Sequence, residues 1–185
     1  MIPSRWNLRG EVDKHGPREL IFLVGPGAML LQMVLFALLP RIAPRRFEIA
    51  PFMETWLDLM VILVGMTGYF FAMILIGVLH ASFALERALF GGVALLIALV
   101  GNLMGKIRRN FFFGIRTPWT LASETVWNAT HRVAARSMVA GGVVGLIIAM
   151  LDASLWLVSL ALVSAFAVPV VYSFFRYRGE KAPER

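Results

Sequence analysis

Between Gly101 and Arg132 the chain gathers most of the side chains that could do chemistry: Asn102, Asn110, Arg116, Thr117, Trp119, Ser123, Glu124, Trp127, His131 and Arg132. Glu124, Asn128, Arg132 and Arg136 recur every fourth residue, a spacing that lines them along one polar stripe of a helix. Trp127, His131 and Ala134 or Ala135 form the adjoining, less polar stripe. Acid–base chemistry would need Glu124 and His131 together, but seven residues of helix hold them about 10 Å apart along the axis. Ser123 is next to Glu124 in sequence but faces elsewhere, so no Ser-His-Asp arrangement is visible. His15, His80 and His131 lie in separate segments without a His-x-x-x-His pair, and the chain has no cysteine. Neither a metal site nor a cofactor is expected. These residue types at these spacings fit binding rather than catalysis, and no enzyme activity is expected.

The same stretch carries its own local instructions. Arg108 and Arg109 beside Phe111, Phe112 and Phe113 make an interfacial anchor, with rings entering a headgroup boundary and guanidinium groups meeting phosphates. Gly114 frees the backbone for a turn. Thr117-Pro118 is a helix start with proline at the first helical position, and Ser123-Glu124 is a second start with a carboxylate in the first turn. An amphipathic helix leading into an apolar span should follow.

The elements around this stretch must be membrane spans. A chain of 185 residues that is 59% hydrophobic and 16% charged has more apolar surface than one soluble core of that size can hide, and its mean hydropathy is +0.76. About 20 apolar residues of helix cross the hydrocarbon core. Five stretches qualify: Leu20 to Leu39, Trp56 to Leu79, Ala88 to Met104, Val133 to Leu151, and Leu155 to Phe175. The expected fold is an all-α polytopic membrane helix bundle of about five transmembrane helices, or six if an upstream helix precedes Met1. Gly25, Pro26 and Gly27 should bend the first span near one end. Asp152, Ala153 and Ser154 should form a tight turn between the last two spans. Gly141, Gly142 and Gly145 mark a face of the fourth where backbones approach closely. Asn102 is expected to hydrogen-bond between helices, and Asp58, four residues after Glu54, to meet Arg45 or Arg46 near the boundary.

The formal charge of +7 reflects orientation rather than a nucleic-acid partner, and no direct nucleic-acid binding is expected. With the amino terminus outside, 13 of the 18 Lys and Arg residues fall on the inner side and five outside. The positive-inside rule then favours a multi-pass cell-membrane protein with an external amino terminus and a cytoplasmic carboxyl terminus. The segment from Met1 to Glu19 has no cleavable signal pattern, because no apolar run precedes Leu20. It reads as a solvated external loop with Trp6 at the interface.

The ordered series Gly101-Asn102, Asn110, Gly114-Ile-Arg-Thr-Pro-Trp-Thr-Leu121, Ser123-Glu124, Val126-Trp127 and Thr130-His131-Arg132 resembles the SdpI-like membrane proteins, named for the immunity protein against the sporulation-delaying toxin of bacilli. Pro3, Trp6, Asn7, Gly10 and Asp13 are similar to the loop of that family's amino-terminal companion domain, and Arg5 stands where the family usually has histidine. The resemblance divides the chain into a partial companion domain, residues 1–55, and an SdpI-like four-helix domain, residues 56–185, with its motif loop at 105–132. The companion domain would be truncated, its usual preceding helix lying upstream. The resemblance implies immunity to, or sensing of, a membrane-active peptide toxin outside the cell, with a cytoplasmic regulatory protein as a partner inside. Two other classes stay open. One is a transporter of a lipid or small amphiphile, with Asn102, Asp58 and Gln32 lining its path. The other is a non-catalytic membrane scaffold.

Overall fold

The computed structural model describes residues 2–6, 12–17, 23–80 and 82–181 of the chain, without the side chains of residues 2–6 and 12–16 or those of Arg46 and Lys181. Two short strands, β1 (Ile2–Trp6) and β2 (Val12–Gly16), pair antiparallel with Ile2 opposite Gly16 and Trp6 opposite Val12. The amino-terminal segment is therefore a hairpin, where the composition of turn formers and mixed charges read as an open loop. Its register is irregular, slipping twice between Pro3 and Trp6.

The rest is helical. A π-helical turn, Leu23–Gly27, opens α1 (Ala28–Ile42). Pro26 lies inside that turn, where a wider helix dispenses with the ordinary i−4 bond. Two 3₁₀ turns, Arg45–Phe47 and Ala50–Phe52, lead into α2 (Met53–Leu79), which is followed by α3 (Leu85–Met104). A short α4 (Pro118–Ala122) precedes the long α5 (Glu124–Met150) and α6 (Leu155–Lys181). Five helices among the described residues are long and apolar enough to cross a membrane. The amphipathic segment and the fourth span are one continuous rod, α5, because no glycine or proline interrupts Glu124 to Ala140.

Much of the apolar surface faces outward, as lipid-facing helices require: Leu30, Leu31, Val61, Trp156, Val163 and Phe175 are all exposed. The buried core is smaller and joins Trp56, Leu59, Ile97, Leu103, Trp127, Met138, Val158 and Leu162. Helix α5 lies between α3 and α6 and packs on both, whereas α1 packs on α2. The glycines of α5 serve both neighbours rather than one face. A Cβ on Gly142 would come within 2.6 Å of the Ala94 carbonyl oxygen on α3, and one on Gly141 within 2.7 Å of Ala165 Cβ on α6.

Two prolines inside spans free a carbonyl each, and in both cases a side chain from the neighbouring helix occupies it. Pro40 gives no N–H to Phe36 O, which accepts Trp56 Nε1–H at 3.0 Å. Pro169 gives none to Ala165 O, which accepts the Ser137 hydroxyl at 2.9 Å. In lipid an unpaired backbone group is costly, so these contacts make the prolines tolerable and fix which helices adjoin.

The turn between α5 and α6 is tight, with Asp152 at φ 58°. Arg87 on α3 ties it down. Its guanidinium pairs with Asp152 Oδ1 at 2.6 Å and donates to the carbonyls of Ala149 and Ala153 at 3.2 and 3.1 Å. A cation at the end of α5 meets that helix's free carbonyls and the negative end of its dipole.

Asn102 differs from expectation, being exposed on α3 rather than turned into an interhelical contact. Asp58 is exposed and makes no ion pair with Arg45, while the Arg46 side chain lies outside the described residues. Both lie on helix sides that the bundle leaves open. Helical spacing alone does not say which side a neighbour covers.

Candidate functional site

The loop between α3 and α5 is a folded unit built on buried polar side chains. Asn110 is fully buried and organises its first half. Its amide donates to the carbonyls of Arg108 and Phe113, both at 3.0 Å. Its Oδ1 accepts the N–H groups of Phe112 and Phe113 at 2.8 and 2.7 Å. One short polar side chain thus closes the turn from both directions. Phe111 is left exposed, while Phe112 and Phe113 pack on the core, Phe112 with its centroid 6.3 Å from that of Trp56.

Gly114 follows at φ 120°, a conformation that favours glycine. It also lies so close to α5 that a Cβ would be 2.5 Å from His131 Nε2 and 3.0 Å from the Trp127 ring. The approach lets Ile115 N–H donate to His131 Nε2 at 3.0 Å. His131 Nδ1 lies 2.8 Å from the Trp127 carbonyl one turn back. Since Nε2 accepts and Nδ1 donates, the buried ring is the neutral Nδ1–H tautomer. It stacks on Trp127 with centroids 4.0 Å apart, and Trp127 Nε1–H reaches the Ile107 carbonyl at 2.9 Å. Trp127 and His131 together pin both ends of the loop, at Ile107 and Ile115, to one turn of α5.

The second half rests on Thr117 and Thr120. Thr117 caps α4, accepting Thr120 N–H at 3.3 Å, while Thr120 Oγ1 accepts Thr117 N–H at 2.9 Å, with Pro118 at the first helical position. Thr120 is fully buried and its hydroxyl also lies 2.7 Å from the Ile115 carbonyl. Trp119 leaves the loop for α6: its Nε1–H donates to the buried Ser173 hydroxyl at 2.8 Å, and its ring packs against Phe174 and Tyr177. Ser123 caps α5 by accepting Val126 N–H at 3.2 Å and donates to the Glu180 carboxylate at 2.9 to 3.0 Å.

Three cations have distinct placements. Arg109 donates to the Leu121 carbonyl at 3.1 Å and lies over the Phe47 ring. Arg116 is exposed, its guanidinium 4.8 Å from the centroid of Phe111. Arg132 is exposed on the stripe it shares with Glu124 and Arg136.

Of the residues singled out from the sequence, Asn110, Gly114, Thr117, Pro118, Trp119, Ser123, Trp127 and His131 meet in this unit. Glu124, Arg116 and Arg132 form its exposed rim, and Asn102 lies outside it. Pro3 and Trp6 fall on β1 and Asp13 on β2, while Asn7 and Gly10 lie outside the described residues. Trp127 is fully buried. Ser173 and Glu180 escaped the sequence reading, and Thr120 entered it only as part of the Gly114–Leu121 series, with no role of its own. Thr120 had a signal, since it stands three residues after the cap Thr117; Ser173 and Glu180, more than 50 residues from their partners, had none. Of the residues set on a transport path, Asn102 and Asp58 are exposed, and Gln32 gives its amide to Thr67 at 2.8 Å.

The loop and most of the two helices that hold it fall within the stretch that matches a family model. Residues 106–173 match the model of the SdpI/YfhL protein family. A stretch of 61 residues is 43% identical to the immunity protein SdpI of Bacillus subtilis (strain 168), covering 33% of this chain and 28% of that protein's length. No solved structure matches. Through this loop and its two spans, the chain is similar to the SdpI/YfhL family, and it spans less than a third of the length of the curated relative it matches.

Proposed function

We propose that the chain is a multi-pass membrane protein that confers immunity to, or senses, a membrane-active peptide, acting by binding rather than by catalysis. One observation carries this reading. The segment that matches the SdpI/YfhL family model is the one whose polar side chains are spent on holding a loop against two spans, leaving Arg116, Phe111, Glu124 and Arg132 as its exposed rim. A preorganised scaffold with a charged and aromatic rim suits recognition. Two groups of the loop that could donate or accept protons are used structurally: His131 has both nitrogens committed, and the Ser123 hydroxyl serves as a cap.

The basic loop and tail favour a cytoplasmic placement of this rim, with the hairpin of residues 2–16 outside. The peptide would meet the outer helix ends, and the loop would present occupancy to a cytoplasmic regulatory protein. The test is survival of bacteria expressing the chain, Arg116→Ala or Trp119→Ala under a panel of membrane-active peptides, with insertion checked in each. Protection by the parent chain and its loss in inserted variants is the expected result. Equal protection by all three would remove the loop from the mechanism, and no protection by the parent chain would remove the immunity reading.

A further inference from the structure

Where α3 ends and α5 passes beside it, a cavity of about 300 Å³ is lined by Lys106, Arg108, Asn128, His131 and Arg132. Three of those five side chains are cationic and none is a carboxylate. Lys106, Arg108 and Arg132 are exposed, and none of their side chains makes a hydrogen bond or ion pair within the described residues. Like charges that converge without a counter-charge repel one another, so an arrangement of this kind is stabilised when an anion joins it.

The dipole of α3 accounts for part of the pattern, because cations are favourable just beyond a helix carboxyl end. It covers Lys106 and Arg108. It does not cover Arg132, which stands inside α5 and opposite that end. Nor does the cavity serve His131, whose two nitrogens are occupied by Ile115 N–H and the Trp127 carbonyl. The position is informative as well. Lys106 follows the apolar run of α3 by two residues and Arg132 precedes that of α5 by one, so the cavity lies at the level of lipid headgroups whichever way the chain is inserted.

We propose that this cavity binds one phosphate group, presented by an anionic lipid headgroup at the membrane boundary or as a free anion. Arg108 and Arg132 supply forked donors suited to phosphate oxygens, Lys106 a point charge, and Asn128 a neutral amide donor. His131 forms the shared wall between this cavity and the Gly114–Ile115 turn, so an occupied cavity stiffens the motif loop through a ring already fixed on both sides. The site rests on the fold alone and stands or falls separately from any toxin.

The experiment uses the full chain in nanodiscs of phosphatidylcholine, with and without phosphatidylglycerol, and native mass spectrometry to count retained lipids. The expected result is saturable retention of one phosphatidylglycerol per chain. Lys106→Gln with Arg132→Gln should weaken it at least about ten-fold, the scale of losing charge-assisted contacts, and Arg176→Gln with Arg178→Gln should leave it unchanged. Arg108→Gln provides a second variant, and matched thermal unfolding shows that each variant is folded. Saturable binding of inorganic phosphate in phosphatidylcholine discs, lost in the same cavity variants, would make the free anion the ligand. No saturable binding in either arm, or equal loss in the tail variants, would overturn the site.

Discussion

His131 Nε2 accepts the backbone N–H of Ile115 at 3.0 Å across 16 residues of sequence, and the Cα of Gly114 passes so near the same nitrogen that a methyl group there would lie 2.5 Å away. This contact joins the motif loop to α5 and fixes the neutral tautomer of the ring. It also explains why a glycine with positive φ stands where it does.

Gly114→Ala should therefore act twice, through backbone strain and through a clash with His131 and Trp127. A destabilisation of about 1–3 kcal/mol is expected from the conformation alone, and more with the clash. Gly105→Ala is the control, since its added Cβ would meet only Ala135 Cβ at 3.7 Å and should change stability by less than about 0.5 kcal/mol. Thermal unfolding of the purified proteins in detergent checks both.

Asn110→Ala removes four contacts at once and leaves part-buried backbone groups of Arg108, Phe112 and Phe113 without the side-chain partner they have here. A loss of about 2–4 kcal/mol is expected. Asn110→Asp tests the donors specifically. An ionised carboxylate accepts the two N–H groups but repels the two carbonyls, whereas the protonated acid donates to one of them. Burial and the two facing carbonyls disfavour the charged form, so the variant's stability should rise as pH falls through the carboxyl's folded pKa and level off below the ordinary carboxylate range, where folded and unfolded chains are both protonated. A pH-independent unfolding temperature difference between Asn110→Asp and the parent chain would count against this geometry.

Trp119→Phe keeps an aromatic ring against Phe174 and Tyr177 but loses the bond to Ser173. Ser173→Ala loses the same bond from the other side. Each should cost about 1 kcal/mol, and the double variant should cost less than their sum by about 0.5–1.5 kcal/mol. Full additivity in a double-mutant cycle would show that the loop and α6 are not coupled there.

Ser137 should matter only because Pro169 is present. Ser137→Ala leaves the Ala165 carbonyl without its hydroxyl donor, at a cost near the ~0.6 kcal/mol average of interhelical bonds in membranes. In a Pro169→Ala background residue 169 regains an N–H for that carbonyl, and Ser137→Ala should then be nearly silent. Unfolding in mixed detergent micelles compares the four proteins.

The absence of cysteine makes orientation directly testable, because any introduced thiol is unique. Ser154→Cys, in the exposed turn between α5 and α6, should react with a membrane-impermeant maleimide on intact cells. Glu124→Cys, at the exposed start of α5, should react only after permeabilisation. The reverse pattern would place the motif loop outside.

Local chemistry along the chain determined the number of helices, the tight turn at Asp152 and the two helix starts of the motif loop. Apolar run length, the Thr117-Pro118 pair and the Ser123-Glu124 pair act over a few residues, and in a bilayer the backbone must bond within each span. Which side of each helix meets a neighbour was not local. The expected interhelical role of Asn102 failed because periodicity places a residue on a face without saying what covers it. Conversely, the pairing of Trp119 with Ser173, of Ser123 with Glu180 and of Ser137 with the carbonyl freed by Pro169 depends on how α5 and α6 lie together. Only the tertiary structure decided these contacts, because the hydrogen-bonding capacity of a side chain is written in its type, while its partner is set by which backbone and side-chain groups packing brings within about 3 Å.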